Sequence, residues 1–271
     1  MARLVRLSPQ LVAKPWGRTD LPACFKGGAD RIGEVWFDDP DQALPILVKW
    51  LFTSERLSIQ VHPNDAQARS LGLSAGKEEC WIVTNASPGA TLGIGTRHAL
   101  TPAELHEAAL SGALETLMDW HPVQAGDWFH IPPGTVHAIG AGITLVEIQQ
   151  NADVTYRLYD YGRPRDLHLE DGIPVSHAAP YSDARHGKLQ PSSHLQRLTQ
   201  CAHFEIFHGT KDSFLALEQA DAWLIPLQGS IGCGDAQAER GDVLYGAIEE
   251  AGTPSADFEF LLARVVVKPA Q

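Results

Sequence analysis

Three short stretches of this 271-residue sequence hold the side chains best able to bind a metal. The segment GDWFHIPPGTVH (126–137) reads G-x5-P-x-G-x2-H. Gly126 turns the chain into a strand, Pro132 and Gly134 make a tight corner, and the next strand aims His137 inward. In SIQVHP, Gln60 and His62 stand two apart. Strand period two therefore puts Ser58, Gln60 and His62 on one face and Leu57, Ile59 and Val61 on the other. A polar strand face turned into a core needs a reason, because each buried unpaired polar atom costs about 1–3 kcal/mol. A metal is such a reason. Zinc accepts imidazole nitrogen and carboxylate or amide oxygen, and an open position on it marks a catalytic site. His62, His137 and a carboxylate supply three ligands, with Gln60 a weaker fourth. The carboxylate lies in GKEEC (76–80), where Glu78 and Glu79 are strand neighbours pointing to opposite faces, so only one of them joins.

The elements that must position these residues read as strands. Apolar and polar residues alternate, punctuated by Gly and Pro, over 44–52, 56–62, 80–85, 127–132, 143–150 and 154–161. One segment breaks the rhythm: Thr101, Pro102 and Glu104 form an N-cap, an N1 proline and a capping-box glutamate. They open a helix that ends near Gly112, with a further turn to Met118. A shorter helix is expected after His62, where Pro63, Asn64 and Asp65 precede AQARSL. The polar stretch 184–194 holds Gly187 and Pro191 and marks a boundary between residues 1–185 and a smaller β domain, 186–271. Strands of that second part are expected near 197–208, 213–227, 242–247 and 258–267. Gly126-Asp127-Trp128-Phe129 recurs in form as Gly241-Asp242-Val243-Leu244, a faint internal echo.

Composition narrows the function. The 24 glycines and 18 prolines have no period, which fits a turn-rich β protein rather than collagen or low-complexity disorder. Lys and Arg number 21 against 33 Asp and Glu, a net charge of −12 with no basic cluster, so neither nucleic acid nor a membrane surface is an expected partner. Cys24, Cys80, Cys201 and Cys233 are far apart and make no CxxC, so spacing suggests neither a disulfide framework nor a thiolate zinc site. With no apolar run of signal or membrane-spanning length, a cytoplasmic protein, monomeric or homodimeric, is expected.

The 126–137 pattern fills every fixed position of the second cupin signature, and Gln60 stands where the first signature has its first histidine. Six blocks then resemble, in order, the class I mannose-6-phosphate isomerases, zinc-dependent members of the cupin superfamily in their short bacterial form. They are KPWG (14–17), IGEVWF (32–37), LVKWLF…LSIQVHP (47–63), GKEEC (76–80), IPPGTVHAIGAG (131–142) and EIQQNADVTYRLYDYGR (147–163). The resemblance implies a mainly β fold, a cupin double-stranded β-helix or jelly-roll barrel with a helical insert at 101–118 and a second, smaller cupin-like domain without a metal motif. It implies one Zn2+ per chain on Gln60, His62, Glu79 and His137, and it selects Glu79 over Glu78. It also implies Lys49, Lys77, Arg157 and Ser58 as substrate-binding residues and Arg157, Glu147 and Lys77 as catalytic ones.

Interconverting aldose and ketose phosphates moves a proton between C2 and C1 through an enediol. That requires a base, an oxyanion stabiliser and a phosphate anchor. On so acidic a chain the anchor must be local, and Lys49, Lys77 and Arg157 are the candidates, with Arg163 and Arg165 nearby in sequence. An enclosed Glu147 carboxylate is expected to have a raised pKa suited to base work; a metal-bound water or a lysine of depressed pKa competes with it. His98, His106, His121, His130, His203 and His208 read as structural. The rivals are an isomerase of another sugar phosphate such as glucose 6-phosphate, a non-catalytic sugar-binding cupin, and an iron oxygenase, for which Gln60 leaves less room for dioxygen.

Overall fold

The computed structural model describes residues 3–25, 29–217 and 220–266, and builds them into twenty strands and five α-helices. The central layer is a seven-stranded antiparallel sheet in the order His186–Lys188, Asp127–Ile131, Glu79–Ala86, Ile143–Gln150, Ile46–Phe52, Ile32–Phe37, Pro9–Arg18. A five-stranded sheet faces it, in the order Tyr156–Tyr159, Ile59–Val61, His137–Ile139, Thr91–Thr96, Met118–Pro122. Leu51, Trp81, Val83, Phe129 and Leu145 from the first meet Leu92, Ile94 and Ile139 from the second in one core, which makes the barrel.

Because successive strand residues point to opposite faces, the same strands build a second core on the other side. Val48, Trp50, Cys80, Ile82, Val146 and Ile148 pack there against Phe204, Ile206, Trp223, Ile225 and Leu261 of a six-stranded sheet. Its order is Val5–Arg6, Leu244–Ala247, Asp221–Gln228, Glu259–Val265, Phe204–Thr210, Gln196–Gln200. Both sheets take an edge strand from a distant stretch of the chain: Val5–Arg6 pairs into the six-stranded sheet and His186–Lys188 into the seven-stranded one. The Ile46–Phe52 strand is buried on every residue, which is why its sequence is continuously apolar apart from Lys49.

Helix Pro102–Ser111 forms as its caps dictate: Thr101 Oγ1 accepts from Glu104 N, Glu104 Oε2 accepts from Thr101 N, and Gly112 closes the helix with φ 79°. Helix Leu114–Leu117 supplies the expected extra turn and Asp65–Ser70 the short helix capped by Asn64. Leu105, Ala108, Ala109 and Leu114 cover the outer face of the five-stranded sheet.

Three strand expectations are corrected. The run at 197–208 is two strands, Gln196–Gln200 and Phe204–Thr210, folded about a tight turn at Cys201. The run at 213–227 opens in helix Lys211–Phe214, its strand starts only at Asp221, and 218–219 lie outside the described residues. The last strand is Glu259–Val265, with residue 267 also outside them. The echoed turns share one geometry: Gly126 and Gly241 have φ 90° and 100°, and Asp127 and Asp242 each accept, through Oδ2, the backbone N–H three residues earlier. No helix among the described residues is long and apolar enough to cross a membrane.

Candidate active site

Register carries the site residues to one place. On the seven-stranded wall Lys49 lies opposite Glu147, and Glu147 opposite Trp81. On the five-stranded wall Gln60 lies between His137 and Arg157. Glu79 sits one step further along its strand, on the same inward face as Trp81. His62 follows the Ile59–Val61 strand directly, and the chain there is pinned by Gly134 N donating to the His62 carbonyl at 2.8 Å. Gly134 has φ 84°, which is open to glycine at no steric cost. Only three residues of the expected 56–62 strand are paired as strand, yet the alternation holds and Ser58 and Gln60 reach the cavity.

His62, Glu79 and His137 are each buried to 2% exposure or less. One ligand atom from each lies within 4.8 Å of the others. His62 Nε2 is 3.5 Å from Glu79 Oε2, and His137 Nε2 is 3.4 Å from Glu79 Oε1. Both imidazoles are oriented from behind: His62 Nδ1 is 2.7 Å from the Val154 carbonyl and His137 Nδ1 2.8 Å from that of Thr135. Donating there leaves both Nε2 lone pairs facing Glu79. His62 Nε2 and Glu79 Oε1 have no hydrogen bond, and Glu79 Oε2 has the Lys77 ammonium at 3.3 Å. Buried acceptor atoms converging on one point, two of them without a donor, are costly unless a cation serves them together. Gln60 stands beside them, its Nε2 3.3 Å from His137 Nε2 and its Oε1 bonded to Ser58 Oγ. A half-turn of that amide presents oxygen instead, with the Ser58 hydroxyl able to serve either atom.

The electrostatics agree with a cation. Burial, then the Lys77 ammonium, pushes His62 well below the usual imidazole range, and burial takes His137 down to about 4. Burial and the Glu147 carboxylate push Glu79 up to about 8. At neutral pH both imidazoles are therefore free bases, while Glu79 holds a proton that a dication would displace. Metal loading between about pH 5 and 7 should release about one proton per ion, declining toward zero as pH rises past 8. Titration calorimetry in buffers of different ionisation enthalpy measures it, and a release that grows with rising pH would contradict the assignment.

Beside the three lies a cavity of about 200 Å³, lined by Lys49, Ser58, Gln60, Lys77, Glu147 and Arg157 among others. Lys49 is 3% exposed, which excludes a snorkelling surface lysine, and its Nζ lies 3.6 Å from Glu147 and 4.3 Å from the Trp36 ring centre. The expected raised pKa of Glu147 is wrong in direction. Burial alone would raise it, but the ammonium groups of Lys77 and Lys49 and the Trp81 indole N–H, 2.9 Å away, outweigh burial and lower it. The lysines diverge as well. Burial and Lys77 lower Lys49, whereas Glu79 and Glu147 overcome burial to raise Lys77.

Arg157 donates to the Asp166 carbonyl, while Asp160 is held by Arg163 and Arg165. Several lining residues were given no site role by the sequence: Lys14, Trp16, Glu34, Asp153 and Thr155. KPWG and IGEVWF carried the only signal for the first three. Gln149, 0% exposed with Oε1 unpartnered, stands across the register from Glu79 and was likewise given no role.

Residues 26–99 match the family described as phosphomannose isomerase type I, catalytic domain. A mannose-6-phosphate isomerase of Streptococcus mutans is 40% identical over 148 residues, 52% of this chain and 46% of that protein, so the chain is matched over about half the relative's length. The crystal structure of the Bacillus subtilis mannose 6-phosphate isomerase superposes with a TM-score of 0.76 at 22% identity, covering 97% of this chain and 100% of that one. A mannose 6-phosphate isomerase structure bound with zinc and yttrium gives 0.72 at 14% identity, covering 98% and 100%. At these identities the structures establish the shared fold.

Proposed function

We propose that this chain, a member of the type I phosphomannose isomerase family, interconverts D-mannose 6-phosphate and D-fructose 6-phosphate through an enediolate, with zinc held by Gln60, His62, Glu79 and His137. The observation that supports it most is the convergence of the buried His62, Glu79 and His137 beside a cavity that carries Lys49, Lys77, Arg157 and Arg165. Zinc bound there supplies Lewis-acid stabilisation of negative charge on the sugar oxygens. All other roles fall to the chain's own groups. Arg157, with Arg165 beside it in the cavity lining, anchors the phosphate through the guanidinium fork. Ser58 bonds a sugar hydroxyl. Lys77, held cationic between Glu79 and Glu147, stabilises the enediolate oxygen. Glu147, ionised at neutral pH and steadied by the Trp81 indole, accepts the C2 proton and returns it to C1; Lys49, the neighbouring group with the weakened ammonium, exchanges protons with it.

We assign this centre to residues 1–185 and give residues 186–271 the role of covering the seven-stranded sheet. We place the protein in the cytoplasm, where its free thiols stay reduced. Coupled assays of the zinc-loaded protein with mannose 6-phosphate and glucose 6-phosphate separately test the reading. Turnover of the mannose ester supports it. Turnover of the glucose ester alone, or binding without turnover, replaces it with another isomerase or with a sugar-binding module.

Arg157→Ala should raise KM by about 10- to 100-fold and change kcat less, since hydrogen bonds to a charged group contribute about 1.5–3 kcal/mol each. Steady-state kinetics on the phosphorylated sugar check this, and an unchanged KM would take Arg157 out of the anchor.

A further inference from the structure

Glu78, the carboxylate not used by the active site, points through the opposite face of the seven-stranded sheet into a second constellation. Its Oε1 lies 2.8 Å from His130 Nε2 and its Oε2 3.6 Å from His203 Nε2. Glu78, His130 and Cys201 each place a ligand atom within 4.8 Å of the others. We propose that Glu78, His130 and Cys201, with His203 as fourth ligand, form a second metal site, for a divalent ion of the zinc class, that fastens the six-stranded sheet to the back of the barrel.

Carboxylate oxygen, imidazole nitrogen and thiolate sulfur together are a donor set for zinc and its transition-metal neighbours rather than for magnesium or calcium. The sulfur is already oriented as an acceptor. The backbone N–H groups of His203 and Phe204 both donate to Cys201 Sγ at 3.4 Å, in a turn closed by Cys201 N to the Phe204 carbonyl at 2.9 Å. Such a turn holds the sulfur in place, while burial and the Glu78 carboxylate keep the thiol above its usual range, so an ion there would displace its proton. Glu78 is fixed from behind: its backbone N–H donates to Gln150 Oε1, and Gln150 Nε2 donates to Asp65, whose other oxygen is 3.9 Å from His203. A surface groove lined by Ser74, Gln150, Ala202 and His203 gives an ion a way in. The ligands come from the Asp127–Ile131 strand, the residue just before its neighbour Glu79–Ala86, and the turn between two strands of another sheet, so an ion there cross-links the two layers. This site is independent of the isomerase reading, because the first ligand set contains no sulfur.

Cobalt(II) distinguishes the two sites, since only a thiolate ligand gives a sulfur-to-cobalt charge-transfer band in the near ultraviolet. Titration of the metal-stripped full chain is expected to take up two equivalents and to show that band. Cys201→Ser should lose the band and one equivalent, Cys24→Ser neither, and His137→Asn the other equivalent while keeping the band. Uptake of two equivalents by the wild-type protein with the sulfur band needs no variant to fold and already supports the proposal. A single equivalent with no sulfur band, or a band that survives Cys201→Ser, would overturn it and leave a hydrogen-bonded thiol, carboxylate and imidazole cluster.

Discussion

Glu79→Gln is expected to lower zinc affinity by more than about 100-fold, the upper end of what even outer-shell changes cost a metal site. Turnover should fall by about 1,000-fold or more, because several kcal/mol of charge stabilisation disappear at 1.36 kcal/mol per tenfold in rate. The carboxylate is the anionic member of the three converging side chains, facing both imidazoles and pairing with Lys77. An amide of the same shape offers one weak oxygen and sets two N–H donors against groups that need an anion. Lys77 keeps Glu147 at 4.0 Å as its remaining partner, so the barrel should still fold. Metal analysis after gel filtration and steady-state kinetics read the two effects, and full zinc occupancy in the variant would remove Glu79 from the ligand set.

Glu147→Gln separates chemistry from metal binding. Its carboxylate lies outside the ligand group and contacts Lys49, Lys77 and Trp81 instead. Zinc content should stay near that of the wild type while kcat falls by about 100-fold or more, the usual contribution of a positioned general base. The pH profile should move as well. Removing an anion beside an ammonium lowers that ammonium's pKa, so Lys49, already lowered by burial, would lose its proton at still lower pH. The basic limb of the residual rate is therefore expected at lower pH than in the wild type. Wild-type turnover in this variant would exclude Glu147 as the proton carrier.

What the sequence could reveal was what strand alternation and local turns determine. Gly126 to His137 is one continuous segment whose proline and glycines mark its corner locally, and Lys49 and Glu147 each interrupt an apolar strand on a definite face. The direction of the Glu147 shift was not legible, because it depends on two lysines from other strands rather than on enclosure. The Pro9–Arg18 strand escaped notice since Pro9 and Pro15 interrupt its pattern, which an edge strand with shifted register tolerates. Helix Leu169–Val175 carries Gly172 and Pro174 and was equally hidden; a Cβ at Gly172 would lie 2.7 Å from Leu158 Cδ2, which would have to shift to admit it. Glu78, His130 and Cys201 are separated by more than 50 and 70 residues and share no spacing rule, so only the stacking of two sheets brings them together.

The most direct test of the central claim is mannose 6-phosphate turnover measured against zinc content through one cycle of chelation and reloading. Activity is expected to fall in proportion to zinc removed from the His62, Glu79 and His137 centre and to return when zinc is restored. Turnover that persists in protein stripped of metal would contradict it.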